Sequence, residues 1–170
     1  MNKGNSRKTV VVTASLALVA LAAVVAFRLN SDSDAQSLAL SANAKVIYQF
    51  HDSSVAPEYH RSYTLTLTKG SAHLAVDSYG DIVTEASKDL DDATWQAIRT
   101  KTQRLATAQS STVEGCAGGT SDEIAAYNGG VAEVLHVTVD NCGGASGVDV
   151  KTPVADALAL FDLKTMLATG

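Results

Sequence analysis

Val10 to Phe27 is a run of apolar and small residues without one charged side chain. As a helix rising ~1.5 Å per residue it would span about 27 Å, close to the thickness of a bilayer's hydrocarbon core. Cleavable signal cores are usually shorter, roughly 7–15 residues, so length favours an uncleaved transmembrane signal anchor over residues 10–27. The cleaved alternative stays open, because Ser33-Asp34-Ala35 offers small residues to a signal peptidase. Cleavage near Ala35 would release a secreted, inhibitor-like domain.

The flanks give an orientation. Lys3, Arg7 and Lys8 precede the run, whereas Arg28 after it is diluted by Asp32 and Asp34. The positive-inside bias leaves residues 1–9 as a cytoplasmic stub and everything after Phe27 outside the cytoplasm. No Cys lies near the end of the run to carry a lipid. Residues 28–43, rich in Ser, Ala and Asp through Ala42, read as a linker. Residues 44–170 then form one extracytoplasmic domain, long enough for a modest core. Without Lys3, Arg7, Lys8, Arg28, Asp32 and Asp34, 9 basic and 16 acidic residues remain, a balance of −7. An acidic domain with no basic stripe argues against nucleic acid and anionic lipid as partners.

Within the domain the hydrophobic period is first 2 and later 3.6. Lys45 to His51 alternates, with Val46, Tyr48 and Phe50 on one side. Tyr59 to Thr68 alternates with Tyr63, Leu65 and Leu67 inward and His60, Ser62, Thr64, Thr66 and Thr68 outward. His73 to Tyr79 is a third strand that Ile82-Val83-Thr84 continues past a bulge at Gly80-Asp81. Trp95, Ile98, Thr102 and Leu105 share a helical face, with Asp91 as N-cap and Leu90 placed to staple against Trp95. A hairpin follows, Asp122–Tyr127 and Val131–Asn141, around Asn128-Gly129-Gly130. Leu135, Val137 and Val139 face in; Val134, His136 and Thr138 face out. Thr152 caps and Pro153 opens a last helix with Val154, Ala157, Leu158 and Phe161 on its apolar stripe. The expectation is an α+β fold: a five-stranded antiparallel sheet in the order βββ-α-ββ-α, helices on one face and water on the other.

Cys116 and Cys142 are the only cysteines. A three-residue loop centred on Gly129 pairs positions whose numbers total 258, as 116 and 142 do. Facing positions in antiparallel strands lie within disulfide reach, and an exported domain allows the bond to persist. A redox or metal pair has no C-x-x-C spacing to support it.

Several motifs form a set. Phe50-His51-Asp52-Ser53-Ser54, Pro57-Glu58-Tyr59-His60-Arg61-Ser62-Tyr63, Asp77-Ser78-Tyr79-Gly80, Gly115-Cys116-Ala117-Gly118-Gly119 and Asn141-Cys142-Gly143-Gly144 together resemble a group of uncharacterised bacterial exported proteins, several of them lipoproteins. The resemblance covers residues 44 to 165. It implies a cell-envelope location and one disulfide, and it implies no activity.

Chemistry-bearing residues are sparse. His51, His60, His73 and His136 include no H-E-x-x-H or H-x-H pair, so neither a metal nor any other cofactor is expected. His51-Asp52-Ser53 has the residue types of a hydrolase triad, but triad members converge from separate elements, and no G-x-S-x-G elbow is present. Asp89, Asp91 and Asp92 lack calcium-loop spacing and suit a helix start. Gly118-Gly119 and Gly143-Gly144 suit turns beside the cysteines. Arg61 could grip a carboxylate or pair with Glu58. The reading is a non-catalytic envelope module that meets an unknown protein or glycan through Glu58, His60, Arg61 and His136. The alternative is an extracytoplasmic hydrolase or metal-dependent enzyme using His60 with Glu58 or Asp77.

Overall fold

Alternation of side chains is the organising pattern from residue 45 onward: Val46 and Tyr48, then Tyr63, Leu65 and Leu67, then Ala72, Leu74 and Val76, and later Leu135, Val137 and Val139 are buried at every second position. In a computed structural model of the chain, residues 38–114, 118–142 and 148–169 are described. The anchor at 10–27, the stub before it, the linker to residue 37, Cys116 and Gly143-Gly144 lie outside them. Among the described residues no helix is long and apolar enough to cross a membrane.

Six strands form one sheet: β1 (Lys45–His51), β2 (Ser62–Thr68), β3 (Ser71–Ser78), β4 (Asp81–Asp89), β5 (Ser121–Asn128) and β6 (Ala132–Asp140), in the spatial order β4-β3-β2-β1-β5-β6. All neighbours are antiparallel. The first four strands form a meander, and the β5–β6 hairpin adds to the other side of β1.

The sixth strand corrects the expected five. Residues 81–89 do not continue β3; they turn back beside it, with Ser78 opposite Asp81. Tyr79 and Gly80 both have positive φ, 53° and 93°, as a two-residue hairpin turn of type I′ requires. Tyrosine is an unusual residue for its first position, which hid the turn. A register shift does occur, but within the ladder at Val76/Asp77.

Register also corrects the hairpin. Asn128 faces Ala132, so the loop is Gly129-Gly130-Val131 and is centred one residue later than expected. A bulge at Ala126/Tyr127 then shifts the ladder again, and it ends with Ser121 opposite Asp140. Asn141 N–H still donates to Thr120 O at 2.8 Å. The same register sets Cys142 against position 119 rather than 116. Cys116 itself lies outside the described residues.

One face of the sheet is apolar. Val46, Tyr48, Leu65, Leu67, Leu74 and Val76 are fully buried there, joined by Ile124, Leu135, Val137 and Val139. Helix α1 (Asp92–Gln103) contributes Trp95, Ile98 and Thr102 to the same core. Leu90 is buried just before it, as a hydrophobic staple requires. The expected final helix is broken into three pieces: a 3-10 helix (Thr152–Val154), α2 (Ala155–Leu158) and α3 (Leu163–Leu167). Its stripe of Val154, Ala157, Leu158 and Phe161 is buried as expected. The core also reaches back before residue 44. Leu40 is buried, the Trp95 indole donates to Ala42 O at 3.2 Å, and the Arg99 guanidinium donates to Leu40 O.

Helical segments start at one repeated device. Asp91-x-x-Thr94, Asp149-x-x-Thr152 and Asp162-x-x-Thr165 each set an aspartate to accept from the backbone N–H and the hydroxyl of the threonine three residues on. Thr152, expected to be a cap, instead donates to one: Asp149 also takes the Lys151 N–H at 3.0 Å. These bonds favour the carboxylate and lower all three acids below their ordinary value, the threonine hydroxyl first and its N–H second. A lowered carboxylate stabilises the fold above its unfolded pKa, and that contribution fades as pH falls through the folded value. Asp149→Ala should therefore cost about 1 kcal/mol at neutral pH. In urea titrations its deficit against wild type should shrink as pH drops below the ordinary 3.8; a deficit that does not change with pH would assign the loss to packing.

Candidate functional site

The ends of β1, β2 and β3 meet at one corner of the sheet, where two connections fold over the polar face. The first is the segment from Asp52 to Arg61. Asp52 closes its base: its carboxylate accepts from Ser53 N–H (2.8 Å) and Arg61 N–H (2.9 Å), and its own N–H donates to Ser62 Oγ (3.0 Å). At the top, the N–H groups of Tyr59 and His60 both turn back to Ala56 O.

The second connection is the Tyr79-Gly80 turn, and the two are locked together. Ser78 Oγ donates to Pro57 O at 2.7 Å, and Tyr79 Oη donates to Val55 O at 2.5 Å. Tyr79 N–H donates to His60 Nδ1 at 3.2 Å, and the two rings stack with centroids 3.9 Å apart. These contacts hold Tyr79 in a left-handed conformation that a bulky residue rarely adopts.

His60 is thus not on the wet face, as alternation implied; it is 6 % exposed. His60 lies in the connection before β2 rather than in the strand, and its ring is packed against that of Tyr79; Ser62, the first residue of β2, is buried beside it. The ring's state follows from its partners. Because Nδ1 accepts the Tyr79 N–H, a neutral ring carries its proton on Nε2, which faces Ser62 Oγ at 3.4 Å. In a Ser–His–Asp triad the assignment is reversed: Nδ1–H donates to the carboxylate and Nε2 takes the serine proton. Here Nε2 already bears a proton, so it cannot serve as base toward Ser62.

Beside this lock lies a cleft of about 360 Å³, lined among others by Gln49, His51, Thr64, Asp77, Tyr79 and Gly80. Gln49 Nε2 donates to Thr64 Oγ1 at 3.2 Å, and Asp77 Oδ1 accepts from Gly80 N–H at 2.9 Å. Large apolar side chains stand exposed around it: Tyr59 (73 %), Tyr79 (56 %), Val55, and Ile82, which pairs directly with Asp77 across β3–β4.

The residues singled out from sequence separate. Glu58 is exposed at the loop tip. It forms no ion pair with Arg61 among the described residues; the guanidinium donates to Pro57 O (3.4 Å) and His60 O (2.7 Å). Arg61 Nε is buried without a partner, so Arg61 is committed to the loop's own backbone. His136 lies apart from the cleft lining, on β6, where it meets Glu123 at 3.1 Å and Glu133 at 3.4 Å. Glu123 also reaches His51 at 3.8 Å, and His73 meets Glu85 at 3.3 Å. Among the described residues no three metal-ligating side chains come together. Ser62 was expected on the partner-facing sheet face, whereas Gln49, Tyr79 and Glu123 were not singled out as site residues from sequence. Cross-strand register, which places Glu123 opposite Gln49 and Thr138, was the missing signal for Glu123.

On the core side, the Tyr48 hydroxyl donates to Asp122, which also takes the Asn141 amide at 2.8 Å. Burial first, and then the Asp122 bond, push the Tyr48 phenol well above its ordinary range. It remains a neutral donor, and its site is structural.

No protein-family model matches the chain, and no curated protein matches it.

His60→Ala should leave the Tyr79 N–H without an acceptor and the Tyr79 ring without support. A loss of about 1–3 kcal/mol is expected in denaturant unfolding, with proteolytic nicking appearing within residues 53–59. Wild-type resistance to nicking would show that the loop stands without the ring.

Proposed function

We propose that the chain is a non-catalytic binding module of the cell envelope, held at the membrane by residues 10–27. Its binding face is the loop from Val55 to Tyr59 with the cleft beside it. The observation that carries this reading is the exposure of Val55, Tyr59, Tyr79 and Ile82 around an open polar cleft, on a loop and a turn locked to each other. Exposed apolar side chains on a rigid scaffold are what recognition sites present, because little ordering cost remains on binding. The resemblance of the motifs at this corner to exported bacterial proteins supports the location. The absence of a free cysteine among the described residues supports a disulfide between Cys116 and Cys142. Glu58, exposed beside Tyr59, is the charged contact of this face. The enzyme alternative needs His60 as base or metal ligand beside Glu58 or Asp77, and its ring nitrogens are already engaged with Tyr79 and Ser62.

A photoreactive residue substituted for Tyr59 in the full-length chain, and another substituted for Val131 (88 % exposed) at the tip of the β5–β6 hairpin, would test this in intact envelopes. One discrete adduct at position 59 and none at 131 is expected. Equal labelling at both positions, or none at 59, would refute a binding face at this corner.

A further inference from the structure

We infer that the cleft takes a neutral, polyhydroxylated ligand, a glycan chain, with one sugar ring against the face of Tyr79. This deepens the binding-module reading and rests on it.

Three features point to sugar chemistry. The first is an aromatic ring presented to solvent and held still. Tyr79 is fixed by its N–H on His60 Nδ1, its ring stacked on His60 and its hydroxyl on Val55 O, yet the residue remains more than half exposed. Sugars pack their C–H faces on such rings, and a fixed ring loses little freedom when they do.

The second is the hydrogen-bonding inventory. Gln49 uses its amide N–H toward Thr64, which leaves its carbonyl oxygen as an acceptor. Thr64 Oγ1 accepts that bond and keeps its proton to donate. Asp77 uses Oδ1 for the Gly80 N–H, and among the described residues its Oδ2 has no hydrogen-bond partner. Donors and acceptors therefore alternate along the cleft, which suits hydroxyl groups that both give and receive.

The third is charge. Among the described residues no lysine or arginine lines the cleft, and the Arg61 guanidinium is committed to Pro57 and His60 carbonyls. A phosphate or carboxylate ligand would find no lysine or arginine there, and His51 on the lining already faces Glu123 at 3.8 Å. A purely cationic ligand would use Asp77 but leave the Thr64 donor idle. The volume of about 360 Å³ falls within the ~300–1,000 Å³ of small-ligand sites.

The test is a printed panel of neutral and N-acetylated oligosaccharides probed with the detergent-solubilised full-length chain, followed by calorimetric titration of the strongest binder. Two variants read the site. Tyr79→Asn removes the ring while placing at a positive φ a residue that tolerates it, and Asp77→Asn removes the charge while keeping an oxygen for Gly80. Retention of at least one oligosaccharide, weakened on the order of tenfold by either variant with the thermal midpoint held, supports the inference. A panel that stays blank while Tyr59 still photolabels a protein overturns the glycan and leaves the binding face standing. A blank panel together with no labelling at 59 overturns both. Sugar binding that both variants leave unchanged would place the glycan elsewhere and overturn this site.

Discussion

One hydrogen bond organises the functional corner of this domain: the Tyr79 N–H donated to His60 Nδ1. Through it a left-handed tyrosine, a ten-residue connection and a hairpin turn become one unit. Remove the acceptor and Tyr79 keeps its steric cost without its compensation, since conformations of this kind persist only where surroundings over-determine them. The stacked rings and the Val55 and Pro57 carbonyls supply that over-determination. The same bond decides the chemistry of the site, because it assigns the imidazole proton to Nε2 and takes away the geometry of a general base.

Around that corner the rest of the fold is ordinary sheet-and-helix packing. β1 sits in mid-sheet, paired on both sides, and its inward Val46 and Tyr48 are fully buried. The core they join runs without a break to Trp95 on α1 and Phe161 near the C-terminus. At the β6 edge, Ser111 forms a parallel bridge with Val139, so that edge is partly covered. The β4 edge carries Asp81, Glu85, Lys88 and Asp89, and charged side chains protect an open edge from pairing with other chains. A scaffold of this kind can hold an exposed loop rigid at one end of its polar face.

Much of this was legible in the residues, and the reasons for the rest are physical. Lys45–His51 alternates strongly enough to mark β1 to the residue, and Asp91 with Leu90 and Trp95 marks the start of α1. The fourth strand was missed because its turn uses Tyr79 where asparagine is usual, and only tertiary contacts with His60 make that tolerable. The cap of the expected final helix was misplaced by three residues, at Thr152 instead of Asp149, yet D-x-x-T recurs at 91, 149 and 162 and could have been read as one device. His60 and Ser62 were placed outward by parity. The strand was read from Tyr59, whereas β2 begins at Ser62, so parity does not apply to His60; for Ser62 parity gives the face of the strand but not its burial. The expected roles of Arg61 and Glu58 depended on their proximity in sequence, and the guanidinium found backbone carbonyls instead.

The most direct test of the central claim is the tautomer of His60, read from ¹⁵N chemical shifts of the imidazole nitrogens in selectively labelled, full-length protein at neutral pH. The account predicts protonated Nε2 and an unprotonated Nδ1 carrying a hydrogen-bonded shift, with a scalar coupling to the Tyr79 amide. A ring protonated at Nδ1, or one averaging between tautomers, would mean that the lock is not formed and that His60 must be reconsidered as a reactive group.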